Sequence, residues 1–290
     1  SEYVGSKFAV ALNSATSALH AACLALNIDS SSVVWTSVNT FVASANCALY
    51  CGASIDFVDI DKDSYNISIE SLERKLRESE MRGRLPDLLI VVHFAGQPCD
   101  MERIKVLSDK YGFKVIEDAS HATGALYRNR KVGDCFYSDV TVFSFHPVKI
   151  ITSGEGGMLC TNSENVADFA RRFRSHGITS DPSLMASRRN NEIWNYQQLH
   201  LGYGYRMTDI HAALGLSQLA RIDEFLKRRR EIALMYDQAL ASLPVKTPVQ
   251  TDYSLSSYHL YPILVKNFSG PSQKEVYDKL HAQNIIVNIH

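Results

Sequence analysis

The first two thirds of this chain alternate short runs of β-branched and apolar residues with segments of helical pattern. Several runs, such as Leu88–Val92, are apolar without interruption, as expected for strands that helices cover on both faces. The alternation predicts an α/β domain built on a largely parallel sheet. The predicted strands are 33–35, 55–58, 88–92, 114–117, 140–145 and 158–161, and the predicted helices are 17–26, 41–51, 69–79, 101–111 and 164–175.

Residues 179–205 form a long, polar and weakly periodic segment, which contains Pro182, Gly202 and Gly204. We predict a loop here. Loops of this length in compact domains are usually functional, so we expect this one to border the active site or an oligomer interface.

The last third of the chain has a helical pattern over 208–243, in two helices, and then a strand over 258–265. We expect a large domain over residues 1–225, followed by a smaller C-terminal domain over 226–290. That second domain looks incomplete, because its pattern stops soon after it begins.

Composition excludes several classes of partner. The formal net charge of -1 gives no electrostatic reason to expect nucleic acid or an anionic membrane. No stretch approaches the roughly 20 apolar residues that span a bilayer, and the first residues do not resemble a signal peptide. The six cysteines lack the spacing of a zinc site, so we expect no metal and read them as reduced thiols of a cytoplasmic protein.

Lys149 is the residue with the clearest chemical context. It follows a predicted strand and Pro147, and a glycine-rich turn containing Gly154 and Gly157 comes next. Glycines permit backbone to approach a ligand closely, so an amine placed here can reach into a cleft. Most lysines are solvated surface charges, and the position alone does not decide between the two interpretations.

Residues 13–19, with the sequence NSATSAL, follow a short apolar segment and open a helix. Small hydroxyl residues at a helix start leave N–H groups exposed at the positive end of the helix dipole, which suits a phosphate. A plain N-cap is the alternative. Ala15 and Thr16 are the candidate phosphate ligands.

Asp118 and His121 come directly after a predicted strand, so both should lie at the carboxyl edge of the sheet, where open α/β sheets bind ligands. There Asp118 can pair with a protonated ring nitrogen, and His121 can hydrogen-bond a ring hydroxyl or stack. Alternatively, Asp118 caps a turn and His121 supports other residues. Ser144 can donate to a phosphate or face a neighbouring strand, and Phe41 can lie on a planar ring or belong to the core.

Together these residues match the needs of pyridoxal 5′-phosphate. Its aldehyde requires an amine, its pyridine nitrogen requires an anion, and its phosphate requires N–H and O–H donors. The sequence supplies Lys149 for the first, Asp118 for the second, and Thr16 with Ser144 for the third. We therefore expect pyridoxal 5′-phosphate as cofactor.

The chain resembles the DegT/DnrJ/EryC1/StrS family of nucleotide-sugar aminotransferases, which are fold-type I pyridoxal phosphate enzymes. The match covers essentially the whole chain. It is carried by the motifs NSATSAL at 13–19, EDASHA at 117–122, FSFHPVK at 143–149, GEGG at 154–157, GYGYR at 202–206 and ALGLSQL at 213–219. The resemblance implies an aspartate-aminotransferase-like fold, with a mainly parallel mixed sheet flanked by helices and a partial smaller C-terminal α+β domain.

The resemblance also implies residue roles. Lys149 would form the Schiff base and act as general acid and base, Asp118 would pair with the pyridinium nitrogen, and His121 would lie near the ring hydroxyl. Phosphate would be bound by Ala15, Thr16 and Ser144, and the cofactor ring would be stacked by Phe41.

The segment VHFAGQ at 92–97, together with HPVK at 146–149, is similar to the branch of the family that acts in pseudaminic acid biosynthesis. This implies amination of C4 of a UDP-linked 4-keto-6-deoxy-N-acetyl sugar by a ping-pong mechanism, with glutamate as donor and 2-oxoglutarate as product. It also implies a homodimer with shared active sites.

Gly204 departs from the family pattern Gly-x-Asn-x-Arg, in which the asparagine reaches the phosphate in the neighbouring subunit. The chain also begins and ends inside the family pattern. Two alternatives stay open on the sequence: an aminotransferase for another nucleotide sugar, 3-keto or dTDP-linked, and a homologue that binds cofactor or sugar without turnover.

Overall fold

The computed structural model describes residues 1–186, 194–265 and 270–289. Its strands are β1 (Phe8–Leu12), β2 (Val33–Ser37), β3 (Ser54–Val58), β4 (Leu88–Val92), β5 (Lys114–Asp118), β6 (Leu126–Tyr127), β7 (Arg130–Lys131), β8 (Val140–Ser144), β9 (Gly157–Thr161), β10 (Ile178–Thr179), β11 (Gln197–Gln198), β12 (Val245–Lys246), β13 (Ser254–Leu255) and β14 (Leu264–Val265). Its helices are α1 (Ala15–Ala25), α2 (Ala43–Tyr50), α3 (Ile69–Met81), α4 (Met101–Tyr111), α5 (Glu164–Phe173), α6 (Asp209–Leu219), α7 (Ile222–Leu240) and α8 (Gln273–Ala282).

The main sheet has seven strands in the order β1-β9-β8-β5-β4-β2-β3. Neighbours from β3 through β8 pair in parallel, whereas β9 is antiparallel to both β8 and β1. Strand β1 therefore runs in the same direction as β8. The prediction of a mainly parallel mixed sheet flanked by helices is confirmed.

Strand β4 is apolar throughout because it is buried on both faces of the sheet. All five of its residues are buried, with Leu88 and Ile90 in one core cluster and Leu89 and Val91 in another. Successive side chains of a strand point to opposite faces. Helices α1, α2 and α5 contribute to the first cluster and helices α3 and α4 to the second, so both faces are covered.

Several predicted boundaries differ from the structure. Residues 8–12, which the strand pattern does not include, form β1. Helix α1 begins at Ala15 rather than residue 17, because Ser14 caps it. Helix α2 begins at Ala43 rather than residue 41, which leaves Phe41 in the preceding turn.

The predicted strand over 258–265 is wrong except for β14. The N–H groups of Ser257 and Leu260 donate to the carbonyls of Gly96 and Ala95, at 3.1 and 3.2 Å, instead of joining a sheet. Tyr258 has a φ of 47°, which breaks the extended conformation. Residues 256–260 therefore lie as a strap across the turn that follows β4.

The predicted loop over 179–205 contains a short pair of strands, because Ile178 and Thr179 pair with Gln198 and Gln197. Residues 187–193 lie outside the described residues. Helix α7 runs through the predicted domain boundary at residue 225, and the boundary stays a prediction.

Candidate active site

The parallel strands bring the predicted site residues to one edge of the sheet. Asp118 is the last residue of β5, and Ser144 is the last residue of its neighbour β8. Phe41 follows β2, Lys149 follows β8, and α1 begins just after β1. Residues separated by more than 100 positions in the sequence are thus collected at the carboxyl ends of the strands.

The first turn of α1 offers two N–H groups. Ser14 and Ser17 form a reciprocal capping box, in which the Ser14 hydroxyl accepts from the Ser17 N–H at 3.1 Å. The N–H of Ala18 donates to the Ser14 carbonyl. Within the described residues this leaves the N–H groups of Ala15 and Thr16 without an acceptor at the positive end of the helix. Such a helix end suits a phosphate group.

Gly157, the first residue of β9, packs directly against this helix start. A Cβ atom at Gly157 would lie 2.3 Å from the carbonyl carbon and oxygen of Ser14 and 2.5 Å from the nitrogen of Ala15. Only a glycine lets the backbone approach this closely. Gly157 therefore fixes the position of the two N–H groups.

Asp118 is almost fully buried, with 4% of its surface exposed. Its Oδ1 accepts a hydrogen bond from the Ser120 N–H at 3.1 Å, and its Oδ2 accepts one from the Ser44 hydroxyl at 2.6 Å. Both oxygens act as acceptors, which is the pattern of an ionised carboxylate. A buried anion of this kind suits a cationic partner such as a protonated ring nitrogen.

Lys149 is half-buried in the turn after β8, where its N–H donates to the His146 carbonyl at 3.0 Å. Burial lowers the pKa of its amine below the ordinary 10.5, and the charge of Asp118 opposes part of that shift. A lowered pKa favours the neutral amine, which is the form that attacks a carbonyl. Ser144, 7% exposed, lies at the start of the same turn and accepts from the His146 N–H at 3.4 Å.

His121 has a fixed tautomer. Its Nδ1 accepts a hydrogen bond from the Ala95 N–H at 3.3 Å, which leaves the ring proton on Nε2. The backbone carbonyl of His121 accepts a hydrogen bond from the Ser257 hydroxyl at 2.8 Å. The centroid of the His121 ring lies 4.5 Å from the centroid of the His259 ring. The strap thus holds His121 from its backbone side.

Phe41 is 72% exposed at this edge of the sheet, so it is not a core residue. The structure therefore excludes one of the two interpretations offered by the sequence. An exposed aromatic face next to the strand ends can lie on a planar ring.

Glu117, the neighbour of Asp118 on β5, points to the other face of the sheet and forms a buried hydrogen bond with His93, 2.7 Å between Oε2 and Nε2. Its other oxygen accepts from Ser138 and Thr141, at 2.5 and 3.0 Å. Burial would raise the pKa of Glu117, but these donors outweigh it and hold the pKa below its ordinary value. The pair anchors the strand end that carries Asp118.

The segment that contains Gly204 contacts the start of α1, because the Asn13 N–H donates to the Tyr205 carbonyl at 2.8 Å. Gly204 forms an isolated bridge with Ser175. A Cβ atom here would meet only the His176 ring, at 3.5 and 3.6 Å, which is ordinary contact. The backbone thus leaves room for a side chain at position 204.

Sequence reasoning missed Ser44 and the His93–Glu117 pair. Ser44 and Asp118 are 74 residues apart, and a serine in an apolar helical segment carries no signal of its partner.

Among the described residues, no group of three or more His, Cys, Asp or Glu side chains is arranged to hold a metal ion. No helix in the described ranges has the length and apolarity needed to cross a membrane.

A buried carboxylate, a lysine with a lowered pKa and a helix start with two unused N–H groups all fit pyridoxal 5′-phosphate. With this fold they define a fold-type I pyridoxal phosphate enzyme. The model of the DegT/DnrJ/EryC1/StrS aminotransferase family matches residues 1–290, and the chain belongs to this family. It is a pyridoxal phosphate-dependent sugar aminotransferase.

The chain is 42% identical over 291 residues to the UDP-4-amino-4,6-dideoxy-N-acetyl-beta-L-altrosamine transaminase of Campylobacter jejuni, covering 100% of this chain and 73% of the relative. An aminotransferase of Helicobacter pylori involved in the biosynthesis of pseudoaminic acid superimposes with a TM-score of 0.80 at 32% identity, over 97% of this chain and 72% of that one. The pyridoxamine-phosphate form of a sugar aminotransferase from Streptococcus pneumoniae gives a TM-score of 0.88 at 28% identity. The match covers 100% of this chain and 75% of that one. The predicted family, fold and cofactor are confirmed.

Proposed function

We propose that this enzyme transfers an amino group from glutamate to C4 of a UDP-linked 4-keto-6-deoxy-N-acetyl sugar, as in pseudaminic acid biosynthesis. The substrate assignment is supported by the 42% identity to the Campylobacter jejuni transaminase along the whole chain. The reaction type is supported by one observation above all, which is that Asp118 ends β5 while Lys149 lies in the turn that follows the neighbouring strand β8.

In this proposal the N–H groups of Ala15 and Thr16 and the hydroxyls of Thr16 and Ser144 bind the cofactor phosphate. Asp118 pairs with the ring nitrogen, while His121 presents its Nε2–H toward the ring hydroxyl. Phe41 covers a ring face. When bound, pyridoxal 5′-phosphate supplies an electrophilic carbonyl and an electron sink.

Lys149 does the proton transfers. In the first half-reaction its neutral amine would take the proton from the α-carbon of glutamate; the amino nitrogen would pass to the cofactor, and water would supply the keto oxygen of the released 2-oxoglutarate. In the second half-reaction the protonated Lys149 delivers a proton to C4 of the keto sugar as the amine is installed. The two substrates use the same site in turn, which gives a ping-pong order.

We further propose a homodimer with shared active sites. Helix α6 is strongly apolar, yet none of its residues is buried within this chain. Ile210 and Leu216 are 82% and 68% exposed, and Val42 and Tyr50 of the α2 region are also exposed. Exposed apolar surface of this extent next to a catalytic site is typical of a subunit interface.

A substrate panel tests the reaction. The enzyme is incubated with glutamate and each of a set of UDP- and dTDP-linked 4-keto-6-deoxy and 3-keto sugars, and the products are identified by mass and NMR. We expect amination at C4 of a UDP-linked N-acetyl sugar and release of 2-oxoglutarate. Amination of only a dTDP-linked or 3-keto sugar would overturn the substrate assignment and leave the reaction type intact.

A further inference from the structure

Ser44 makes the shortest hydrogen bond to Asp118. The Ser44 side chain lies in the first turn of α2, is fully buried and donates its hydroxyl to Asp118 Oδ2 at 2.6 Å. Since the Ser120 N–H occupies Oδ1, each carboxylate oxygen is bound once and the plane of the carboxylate is fixed. Rotation of Asp118 would break both bonds.

Thr40 sets the direction of this hydrogen bond. Its hydroxyl oxygen lies 2.8 Å from the Ser44 oxygen and 3.2 Å from the Phe41 carbonyl, and the nearer acceptor for its one proton is Ser44. A serine has a single hydroxyl proton, so when its oxygen accepts from Thr40 that proton is directed at Asp118. The chain of hydroxyls thus presents a donor to Asp118 Oδ2.

On this geometry we propose that Ser44 is a positioning residue for the cofactor ring, which acts through Asp118 and is itself oriented by Thr40. Ser44 does not touch the ring. It holds the Asp118 carboxylate in one plane, the orientation in which Asp118 would pair with the ring nitrogen. The inference rests on the proposed pairing of Asp118 with that nitrogen.

The test compares two ligands that differ only at the ring nitrogen. Pyridoxal 5′-phosphate and its deaza analogue, in which CH replaces the nitrogen, are titrated into cofactor-free enzyme, and binding is followed by tryptophan fluorescence. For Ser44→Ala we expect affinity for pyridoxal 5′-phosphate to fall about tenfold or more, as for loss of a hydrogen bond to a charged group. Affinity for the deaza analogue should stay within about twofold of wild type, since that ligand has no nitrogen for Asp118 to pair with.

Ser108→Ala is the matched control. Ser108 is also a buried helical serine with a 2.6 Å hydrogen bond, but its acceptor is the Phe113 carbonyl, away from the site. Affinities for both ligands should be unchanged in this variant. Thr40→Val should show a weaker form of the Ser44→Ala result, and it serves as the second variant if Ser44→Ala folds poorly.

Asp118→Asn separates the inference from the proposal on which it rests. If Asp118→Asn binds both ligands as wild type does, the pairing with the ring nitrogen is wrong. If Asp118→Asn discriminates between the ligands but Ser44→Ala does not, the proposed role of Ser44 alone is overturned. An equal loss of both ligands in Ser44→Ala would also overturn it, because that result is expected of a purely structural defect.

Discussion

Gly157 and Ser14 are in backbone contact, although they belong to an antiparallel strand and to the cap of α1. The space that a Cβ atom at Gly157 would fill is occupied by the Ser14 carbonyl, 2.3 Å away. Strand β9 therefore supports the helix start from behind and leaves the N–H groups of Ala15 and Thr16 directed at the site. If the start of α1 binds the cofactor phosphate as proposed, the antiparallel strand β9 supports that site.

Gly157→Ala should weaken binding of pyridoxal 5′-phosphate, because backbone on both sides of the contact must move apart. Overpacking of this kind typically costs about 1–3 kcal/mol. We expect a corresponding loss of cofactor affinity in fluorescence titrations of the cofactor-free enzyme. Gly204→Ala is the control, since its Cβ meets only ordinary contacts, and equal affinities of the two variants would contradict the role of Gly157.

Lys149→Ala should abolish the imine absorbance of the enzyme mixed with pyridoxal 5′-phosphate and stop both half-reactions. The variant keeps the phosphate and ring contacts, so it should still bind the cofactor without the covalent bond. Absorbance spectra, together with assays of 2-oxoglutarate and amino-sugar formation, check this. Normal turnover by the variant would show that another group carries the chemistry.

The pH dependence of Lys149 labelling should reveal its lowered pKa. Only the neutral amine reacts with an acylating reagent, and burial shifts the pKa of Lys149 below 10.5. In cofactor-free enzyme the acylation rate of Lys149, measured by mass spectrometry, should therefore level off at a lower pH than that of a lysine with the ordinary pKa of 10.5. Asp118→Asn removes the charge that opposes the shift, so the midpoint should move lower still; a midpoint that moves upward would contradict this account.

Leu216→Glu should disrupt the proposed dimer. Leu216 is 68% exposed on α6, and a carboxylate placed in an apolar interface would lose its hydration on assembly. Light scattering after size-exclusion chromatography should show a shift from dimer to monomer. Met81→Glu is the control, because Met81 is 82% exposed at the end of α3, and a dimer that persists in Leu216→Glu would place the interface elsewhere.

The sequence was sufficient for the sheet because the sheet depends on local patterns. Apolar runs such as β4 mark buried strands, and a residue that ends a parallel strand lies at the ligand-binding edge. Asp118 and Ser144 were placed at that edge in this way, and Lys149 was placed in the turn that follows Ser144. The sequence did not predict the strap over residues 256–260. Its sequence resembles that of a strand, but its backbone hydrogen bonds go to the turn after β4.

By itself the sequence determined the fold class and the cofactor. Only the tertiary structure decided that Ser44 holds Asp118, that Gly157 packs against the start of α1 and that Phe41 is exposed. The physical reason is that periodicity and turn chemistry act over a few neighbouring residues. Hydrogen bonds and close packing between distant segments arise only when the sheet brings those segments together.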